Sequence, residues 1–212
     1  MLNNGWEEFA LLLIDVQKDF WDETVQESFP YFPEKMEELL QVCRETGLEV
    51  IHIRARFSPD QHDWMVPYKL KGSIPCIGGT EGAEILECAR EQTGEKIFYK
   101  QTFDSFCNPQ LHEYLRDTGK RFLLTAGLVT SICVFLTTAS AVQRGYLVSL
   151  VADGCADQAD AHNNTLERYE PVFMPLVRTA EILASQHDWK QMLLQLDRMS
   201  SPTAVWADRQ KP

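Results

Sequence analysis

The sequence lacks features that would assign it to several large classes of protein. It has no excess of basic residues, since 20 Lys+Arg stand against 31 Asp+Glu and the formal net charge is −11. Nucleic-acid binding requires a basic surface that neutralises phosphates, so this composition disfavours it. The first residues lack the basic segment that opens a signal peptide, and the apolar run from Phe9 to Val16 is too short to span a bilayer. We therefore expect a cytoplasmic protein that binds neither nucleic acid nor a membrane.

The cysteines form no CxxC pair and no tight cluster. Six are present, at positions 43, 76, 88, 107, 133 and 155. An even number is compatible with disulfides, but a chain of 212 residues can bury a core without them. Free thiols in a reducing compartment fit this spacing better.

No phosphate-binding loop, internal repeat or interdomain linker is visible. A generic nucleotide-binding sheet would carry a GxGxxG or Walker element after its first strand, and the residues after Val16 contain neither. We predict a single domain over residues 1–212, with a C-terminal tail over about residues 186–212.

Five apolar runs rich in β-branched or aromatic residues predict strands. They are Phe9 to Val16, Leu48 to Ala55, Lys96 to Lys100, Arg121 to Gly127 and Tyr146 to Ala152. Capping residues and apolar spacing predict helices over Pro33 to Gly47, Asn108 to Gly119, Ser131 to Arg144 and Ile182 to Leu196. Nearly continuous apolar strands that alternate with helices are typical of parallel strands buried on both faces. We predict an α/β fold with a doubly wound, mostly parallel sheet and helices on both faces.

Polar side chains stand at the ends of these predicted strands. Ligands of open α/β sheets bind outside the carboxyl ends of the strands, so these side chains are expected to converge on one edge. They are Asp15 after the first strand, Arg54 and Arg56 at the end of the second, Lys100 at the end of the third, Cys133 after the fourth and Asp153 after the fifth.

Three of these residues suit covalent catalysis. Cys133 falls in the predicted first turn of a helix, where the helix dipole and a nearby ammonium lower the pKa of a thiol. Asp15 at the end of a buried strand is costly unless it is paired or accepts a proton, and Lys100 is its natural partner. Each also has an ordinary explanation: packing for Cys133, capping for Asp15 and a solvated charge for Lys100.

Four short motifs together resemble the isochorismatase-like cysteine hydrolase superfamily. They are LIDVQKDF at residues 13–20, GTEGAEI at 79–85, KQTFDSF at 100–106 and AGLVTSICV at 126–134. This superfamily includes nicotinamidases, N-carbamoylsarcosine amidohydrolases and ureidoacrylate amidohydrolases. The resemblance extends from about Phe9 to residues 172–179 and implies a three-layer α/β/α fold. It does not indicate one substrate.

The resemblance also implies roles for individual residues. The family nucleophile falls on Cys133, its proton-accepting aspartate on Asp15 and its lysine on Lys100. A cis peptide bond is implied between Leu128 and Val129, and the backbone amides of Val129 and Cys133 are implied to bind the oxyanion. The expected enzyme cleaves a C–N bond of a small amide, ureido or carbamoyl substrate through a thioester, and needs no cofactor.

A bound metal is not expected. Nicotinamidases of this superfamily hold a divalent metal through an Asp-x-His element after the second strand and further histidines. Asp60 and His62 have that spacing, but His112 falls in a predicted helix and His52 lies within a strand, so the ligand count is too low. Because the metal ligands typical of nicotinamidases are incomplete, nicotinamide hydrolysis is the alternative function and not the first one. Vinyl-ether cleavage is disfavoured because that branch generally lacks the cysteine.

Substrate binding is assigned to loop aromatics and two arginines. Phe20, Trp64 and Phe103 lie in loops or near strand ends and are expected to form an apolar wall, although ordinary packing also explains them. Arg54 and Arg56 have the same parity on the second strand, so one of them is a candidate clamp for a substrate carboxylate. A solvated or ion-paired arginine is the alternative.

An inactive homologue that serves as a binding or assembly module would share this fold. The intact set of Asp15, Lys100 and Cys133 speaks against that alternative. Members of the superfamily are commonly homo-oligomers, and we expect the same here. The apolar helix from Ser131 and the tail bearing Trp206 are the candidate interface.

Overall fold

The structure is a computed structural model that describes residues 5–200. By backbone contacts the chain divides into one unit that ends at Thr179 and a second that begins at Ala180. The second contains the helix α7 (Ile182–Ser200). The single-domain assignment stays a prediction, and Trp206 lies outside the described residues.

The first unit is built on a six-stranded parallel sheet. Its strands are β1 (Phe9–Ile14), β2 (Glu49–Ala55), β3 (Lys96–Lys100), β4 (Phe122–Leu128), β5 (Leu147–Ala156) and β6 (Leu176–Val177). The spatial order is β3-β2-β1-β4-β5-β6, and each neighbouring pair is parallel. The predicted doubly wound sheet, with helices on both faces in a three-layer α/β/α arrangement, is confirmed. β6 is not among the predicted strands, because its two residues are too few to produce a pattern.

Six helices accompany the sheet. They are α1 (Glu23–Ser28), α2 (Phe32–Thr46), α3 (Val66–Lys71), α4 (Pro109–Asp117), α5 (Phe135–Gln143) and α6 (Ala159–Tyr169). Two predicted caps are confirmed: Gly47, in the left-handed conformation, follows the last residue of α2, and the Asn108 side chain accepts a hydrogen bond from the Gln110 amide. α1, α3 and α6 are not among the predicted helices. No described helix is long and apolar enough to cross a membrane.

β5 is longer than the sequence predicts. It continues to Ala156, so Asp153 lies within the strand, and this corrects the expectation that Asp153 closes it. The Asp153 carboxylate accepts hydrogen bonds from the backbone amide and the hydroxyl of Thr179, at 2.9 and 3.1 Å. Its contacts are therefore structural ones.

Successive strands are added to the sheet in one direction from β1 to β3 and in the opposite direction from β4 to β6. β1 is buried along its whole length and pairs with β2 on one side and with β4 on the other. Because the two halves of the sheet wind in opposite directions from this point, a crevice forms outside the carboxyl ends of β1 and β4. Asp15 follows β1, and the segment that carries Cys133 follows β4.

Candidate active site

Asp15, Lys100 and Cys133 meet at this crevice. The Lys100 Nζ atom lies 2.7 Å from Asp15 Oδ2 and 3.4 Å from Cys133 Sγ. All three side chains are buried. The structure thus brings together the three residues that the sequence analysis selected as the catalytic set.

The ammonium group of Lys100 is fully engaged. Besides Asp15 and Cys133 it faces the carbonyl oxygens of Thr102, at 2.8 Å, and Phe103, at 3.1 Å. An ammonium group has three protons, so four acceptors saturate it. These contacts hold the cation between the carboxylate and the thiol.

Backbone contacts fix the position of Asp15. Its main chain is left-handed, with φ +51°, and its amide donates to the Ile53 carbonyl at 2.8 Å. Its Oδ1 atom accepts a hydrogen bond from the Ala55 amide at 2.9 Å. The same amide lies 2.8 Å from Gln17 Oε1, and Gln17 Nε2 donates to the carbonyls of Ala55 and Ala83, both at 2.9 Å. Gln17 is not among the predicted site residues, because a polar side chain three residues after a buried strand is its only signal in the sequence.

Burial controls the protonation of the three groups. It raises the pKa of Asp15 against the opposing effect of Lys100, and it raises the pKa of Cys133 together with the nearby Asp15 carboxylate. Burial lowers the pKa of Lys100, but the charges and hydrogen bonds of Asp15 and Cys133 together outweigh burial, so the pKa is raised. This corrects the expectation of a lowered thiol pKa. Asp15 thus raises the pKa of the Cys133 thiol, whereas Lys100 lowers it.

Cys133 lies on a tight turn after β4. A cis peptide bond joins Leu128 to Val129, which confirms the position that the family resemblance implies. Residues Thr130–Val134 then form a π-helical turn that leads into α5. The predicted helix from Ser131 therefore begins with a π turn, and the regular helix starts only at Phe135.

Two side chains from the β5–α6 region anchor this turn. Asp157 Oδ2 accepts hydrogen bonds from the amide and the hydroxyl of Ser131, at 2.8 and 2.6 Å. His162 Nδ1 lies 2.8 Å from Thr130 Oγ1, and burial lowers the pKa of His162. Polar contacts from Asp157 and His162 thus fix the two residues, Thr130 and Ser131, that lie shortly before Cys133. These contacts are not predicted from the sequence.

A cavity of about 110 Å³ opens onto Cys133 and Lys100. Phe20 and Phe103, two of the predicted wall residues, line it, and so does Val129. The remaining lining residues are Ala55, Phe57, Met65, Tyr68, Ile74, Pro75, Thr102 and Ile132. The wall is therefore mostly carbon.

The structure does not place Trp64 on this cavity. It packs behind the wall in a cluster with Ala55, Phe57 and Ile74, and its Nε1 atom donates to the Ser58 carbonyl at 2.7 Å. Ordinary packing, the alternative given for this aromatic, accounts for its position.

The structure does not place the two arginines on the cavity either. Arg54 and Arg56 do point to the same side, but they line a separate cleft. Arg54 Nη2 lies 2.6 Å from Glu91 Oε2, and the exposed Arg56 guanidinium lies 5.2 Å from the ring centroid of Tyr99. The expected carboxylate clamp is thus absent from the described residues around Cys133.

The residues at the predicted nicotinamidase-type metal position do not fit a metal ion. Asp60 Oδ1 lies 2.6 Å from His62 Nδ1, and both side chains are about 70% exposed, at 72% and 69%. His112 instead contacts the hydroxyl of Tyr146, at 3.0 Å. Across residues 5–200, no group of three or more His, Cys, Asp or Glu side chains is arranged to hold an ion.

Fold and site together define an α/β protein with a buried cysteine, lysine and aspartate at the switch point of a parallel sheet. A family model described as the isochorismatase domain matches residues 9–181. The chain belongs to the isochorismatase family, and at the level of that family it is a hydrolase.

Individual relatives cover most of the chain. An uncharacterized isochorismatase family protein of Bacillus subtilis, YddQ, is 30% identical over 151 residues, which are 69% of this chain and 77% of that protein. The nicotinamidase of Escherichia coli is 24% identical over 225 residues, covering 86% of this chain and 97% of the enzyme. The crystal structure of a cysteine hydrolase from Pseudomonas syringae has a TM-score of 0.78 at 23% identity, covering 86% of this chain and 93% of that one.

Proposed function

We propose that the protein is a cysteine-dependent hydrolase that cleaves the C–N bond of a small amide, ureido or carbamoyl compound. One observation carries the proposal: Lys100 Nζ bridges Asp15 Oδ2, at 2.7 Å, and Cys133 Sγ, at 3.4 Å, beside a cavity that opens onto the sulfur. A nucleophile, a base and a cation that orients the base are thus in contact.

Asp15 acts as the base in the first step. Its carboxylate lies 2.7 Å from the Lys100 ammonium, which also contacts Cys133 Sγ, and it accepts the thiol proton as the sulfur attacks the carbonyl carbon. The backbone amides of Val129 and Cys133 are the proposed donors to the oxygen on which negative charge develops.

The second half of the reaction restores the site. The C–N bond breaks, the proton held by Asp15 moves to the leaving nitrogen, and ammonia or an amine departs from a thioester on Cys133. Water then attacks the thioester and Asp15 takes one of its protons. The C–S bond breaks, the acid product leaves, and the proton returns to the sulfur.

Ammonia release by Cys133 variants tests this function. The wild-type protein is assayed with simple amides, nicotinamide, ureido acids and N-carbamoyl amino acids. Cys133→Ala should abolish release, and Cys107→Ala, at an exposed cysteine, should leave it unchanged. After acid quenching, mass spectrometry should find the acyl group on Cys133.

Three results bear on the outcome. Undiminished turnover by Cys133→Ala would exclude the cysteine mechanism. Acyl transfer to another cysteine would exclude Cys133 as the nucleophile. Folded wild-type protein that binds the amides but releases no ammonia from any of them would identify an inactive binding module.

A further inference from the structure

The cavity beside Cys133 offers no free positive charge. Among the described residues that line it, Lys100 is the only one with a charged side chain. Its ammonium protons already face Asp15, Cys133 and the carbonyls of Thr102 and Phe103. A substrate carboxylate in the cavity would lose its hydration without gaining a counter-ion, and it would lie near the Asp15 carboxylate.

The nearby arginines do not supply that charge. Arg54 and Arg56 line a cleft that shares only Ala55 with the cavity, as far as the described lining residues show. Arg54 is paired with Glu91, and Arg56 lies over the Tyr99 ring. An acidic substrate bound by either guanidinium would lie in that cleft and not in the cavity beside the Cys133 sulfur.

The walls of the cavity favour apolar groups of a ligand. Phe20, Phe57, Met65, Phe103 and Ile132 present apolar surface to it. Two lining residues, Thr102 and Tyr68, carry a side-chain hydroxyl, and that of Thr102 already donates to the Asp104 carbonyl at 2.8 Å. The hydroxyl of Tyr68 can donate a hydrogen bond but supplies no counter-ion for a carboxylate. Burial of an apolar group against these walls is favourable, at roughly 25 cal/mol for each Å² removed from water.

The volume limits the size of the ligand. The cavity measures about 110 Å³. By comparison, an apolar cavity of about 150 Å³ binds benzene. The amide group and its acyl chain together can therefore contain only about six non-hydrogen atoms inside the cavity.

We infer that the substrate is a compact, neutral primary amide with a short apolar acyl group and no carboxylate. This inference rests on the proposed hydrolase function for its chemistry, but its size and charge requirements come from the cavity alone. Such a substrate gives ammonia and a short apolar carboxylic acid. The acid product is charged and has no counter-ion in the cavity, which favours its release.

A matched series of amides tests the inference. Isobutyramide, lactamide and oxamate have the same number of non-hydrogen atoms and differ in polarity and charge. Their binding to Cys133→Ala is measured by ligand-observed NMR, and ammonia release from them is measured with the wild-type protein. Isobutyramide should bind at least about tenfold more tightly than oxamate, with lactamide between them, because only oxamate carries an unpaired charge into the cavity.

The two readouts separate this inference from the proposed function. Binding of oxamate as tight as that of isobutyramide, or no detectable binding of isobutyramide, would overturn the inference. Cys133-dependent ammonia release from oxamate or N-carbamoylglycine but not from isobutyramide would overturn it and leave the proposed function intact. Preferred binding of isobutyramide without turnover would support the inference and count against the proposed function.

A charge placed on the wall gives an independent test. Ile132 lines the cavity and is 40% exposed, so Ile132→Lys adds a cation there with little cost to folding. It should raise the affinity for oxamate relative to isobutyramide by at least about fivefold. Leu136→Lys is the control, since Leu136 is 36% exposed, follows in α5 and does not line the cavity. An unchanged ratio in Ile132→Lys would show that this cavity does not select substrates by charge.

Discussion

The carboxylate of Asp15 and the ammonium of Lys100 form a 2.7 Å ion pair with almost no exposure to solvent, at 0% and 1% of their side-chain surfaces. Such a pair adds little net stability, because the loss of hydration offsets most of the attraction. Removal of only one partner is far more damaging, since it leaves a buried charge alone. The pair is better explained by its contact with Cys133 than by a contribution to folding.

Substitution of the two partners should therefore be strongly non-additive. Lys100→Met and Asp15→Asn should each lower the free energy of unfolding by about 3–5 kcal/mol, and the double variant should lose clearly less than the sum. Urea denaturation provides the measurement. For comparison, Lys35→Met breaks the exposed Lys35–Glu38 pair and should cost less than about 1 kcal/mol. Additive losses at Asp15 and Lys100 would show that the two side chains do not stabilise each other.

Removal of the Asp15 charge should speed the alkylation of Cys133 and abolish amide hydrolysis. The Asp15 charge helps to raise the pKa of the thiol, whereas Lys100 lowers it. Asp15→Asn removes the anion and leaves the cation, so iodoacetamide should modify Cys133 faster at pH 7 while amide hydrolysis is lost. Mass spectrometry of the Cys133 and Cys107 peptides gives the two rates, and the exposed Cys107 is the internal reference.

Two results would contradict this expectation. Slower alkylation of Cys133 in Asp15→Asn would mean that the carboxylate promotes the thiolate in the resting protein. Unchanged hydrolysis would mean that Asp15 is not the base. Asp117→Asn, an exposed substitution on α4, controls for nonspecific effects and should change neither rate.

The sequence predicted the sheet and the central side chains because both depend on local patterns. Apolar runs mark the buried parallel strands, and the carboxyl ends of such strands meet at one edge of the sheet. Asp15 and Lys100 end up in contact for that reason, although β1 and β3 are not neighbours. By contrast, α6 is polar, with only His162 and Thr165 buried, so it has no apolar stripe that periodicity could detect.

The substrate cavity could not be predicted in the same way. Met65 and Ile74 lie in an irregular segment between β2 and β3, whose path depends on distant contacts such as the 2.6 Å hydrogen bond from the Cys76 amide to Asp19. The position of Arg54 at a strand end predicts a clamp, but in the structure its guanidinium is paired with Glu91. The thiol pKa also follows from burial and from Asp15, which the position of Cys133 at a helix start does not reveal.

Gly127 should be indispensable for the approach of β4 to β1. It adopts φ +126°, and a Cβ atom there would lie 1.9 Å from the carbonyl oxygen of Ile14, the last residue of β1. Gly127→Ala must therefore separate the two strands directly behind Asp15, and we expect little folded protein by circular dichroism and size-exclusion chromatography. Gly119→Ala, at φ +69° with nothing within 4 Å of the added atom, should cost only about 1 kcal/mol. Equal stability of the two variants would exclude this close contact.

Glu95 should make the stability of the protein depend on pH. Its carboxylate accepts hydrogen bonds from Arg44 Nε at 2.8 Å, from His52 Nε2 at 2.8 Å and from the Gln92 amide at 2.9 Å. Burial alone would raise the pKa of Glu95, but these donors outweigh it and lower the pKa to about 2. An unfolded glutamate has a pKa of about 4.3, so the ionised form stabilises the native state by about 3 kcal/mol at neutral pH.

The lowered pKa of Glu95 determines how its contribution to stability changes with pH. A carboxyl group whose pKa is lowered in the folded state contributes its full stability at pH values above its pKa in the unfolded state. That contribution is lost as the pH falls toward about 2. Glu95→Gln should therefore be less stable than the wild type by about 3 kcal/mol at pH 7, and the difference should shrink steadily below about pH 5. Urea denaturation at intervals between pH 7 and pH 2 measures it, with Glu38→Gln as an exposed control that should stay within about 0.5 kcal/mol of wild type. A difference that stays constant over this range would mean that the hydrogen bonds of Glu95 stabilise the fold equally well without its charge.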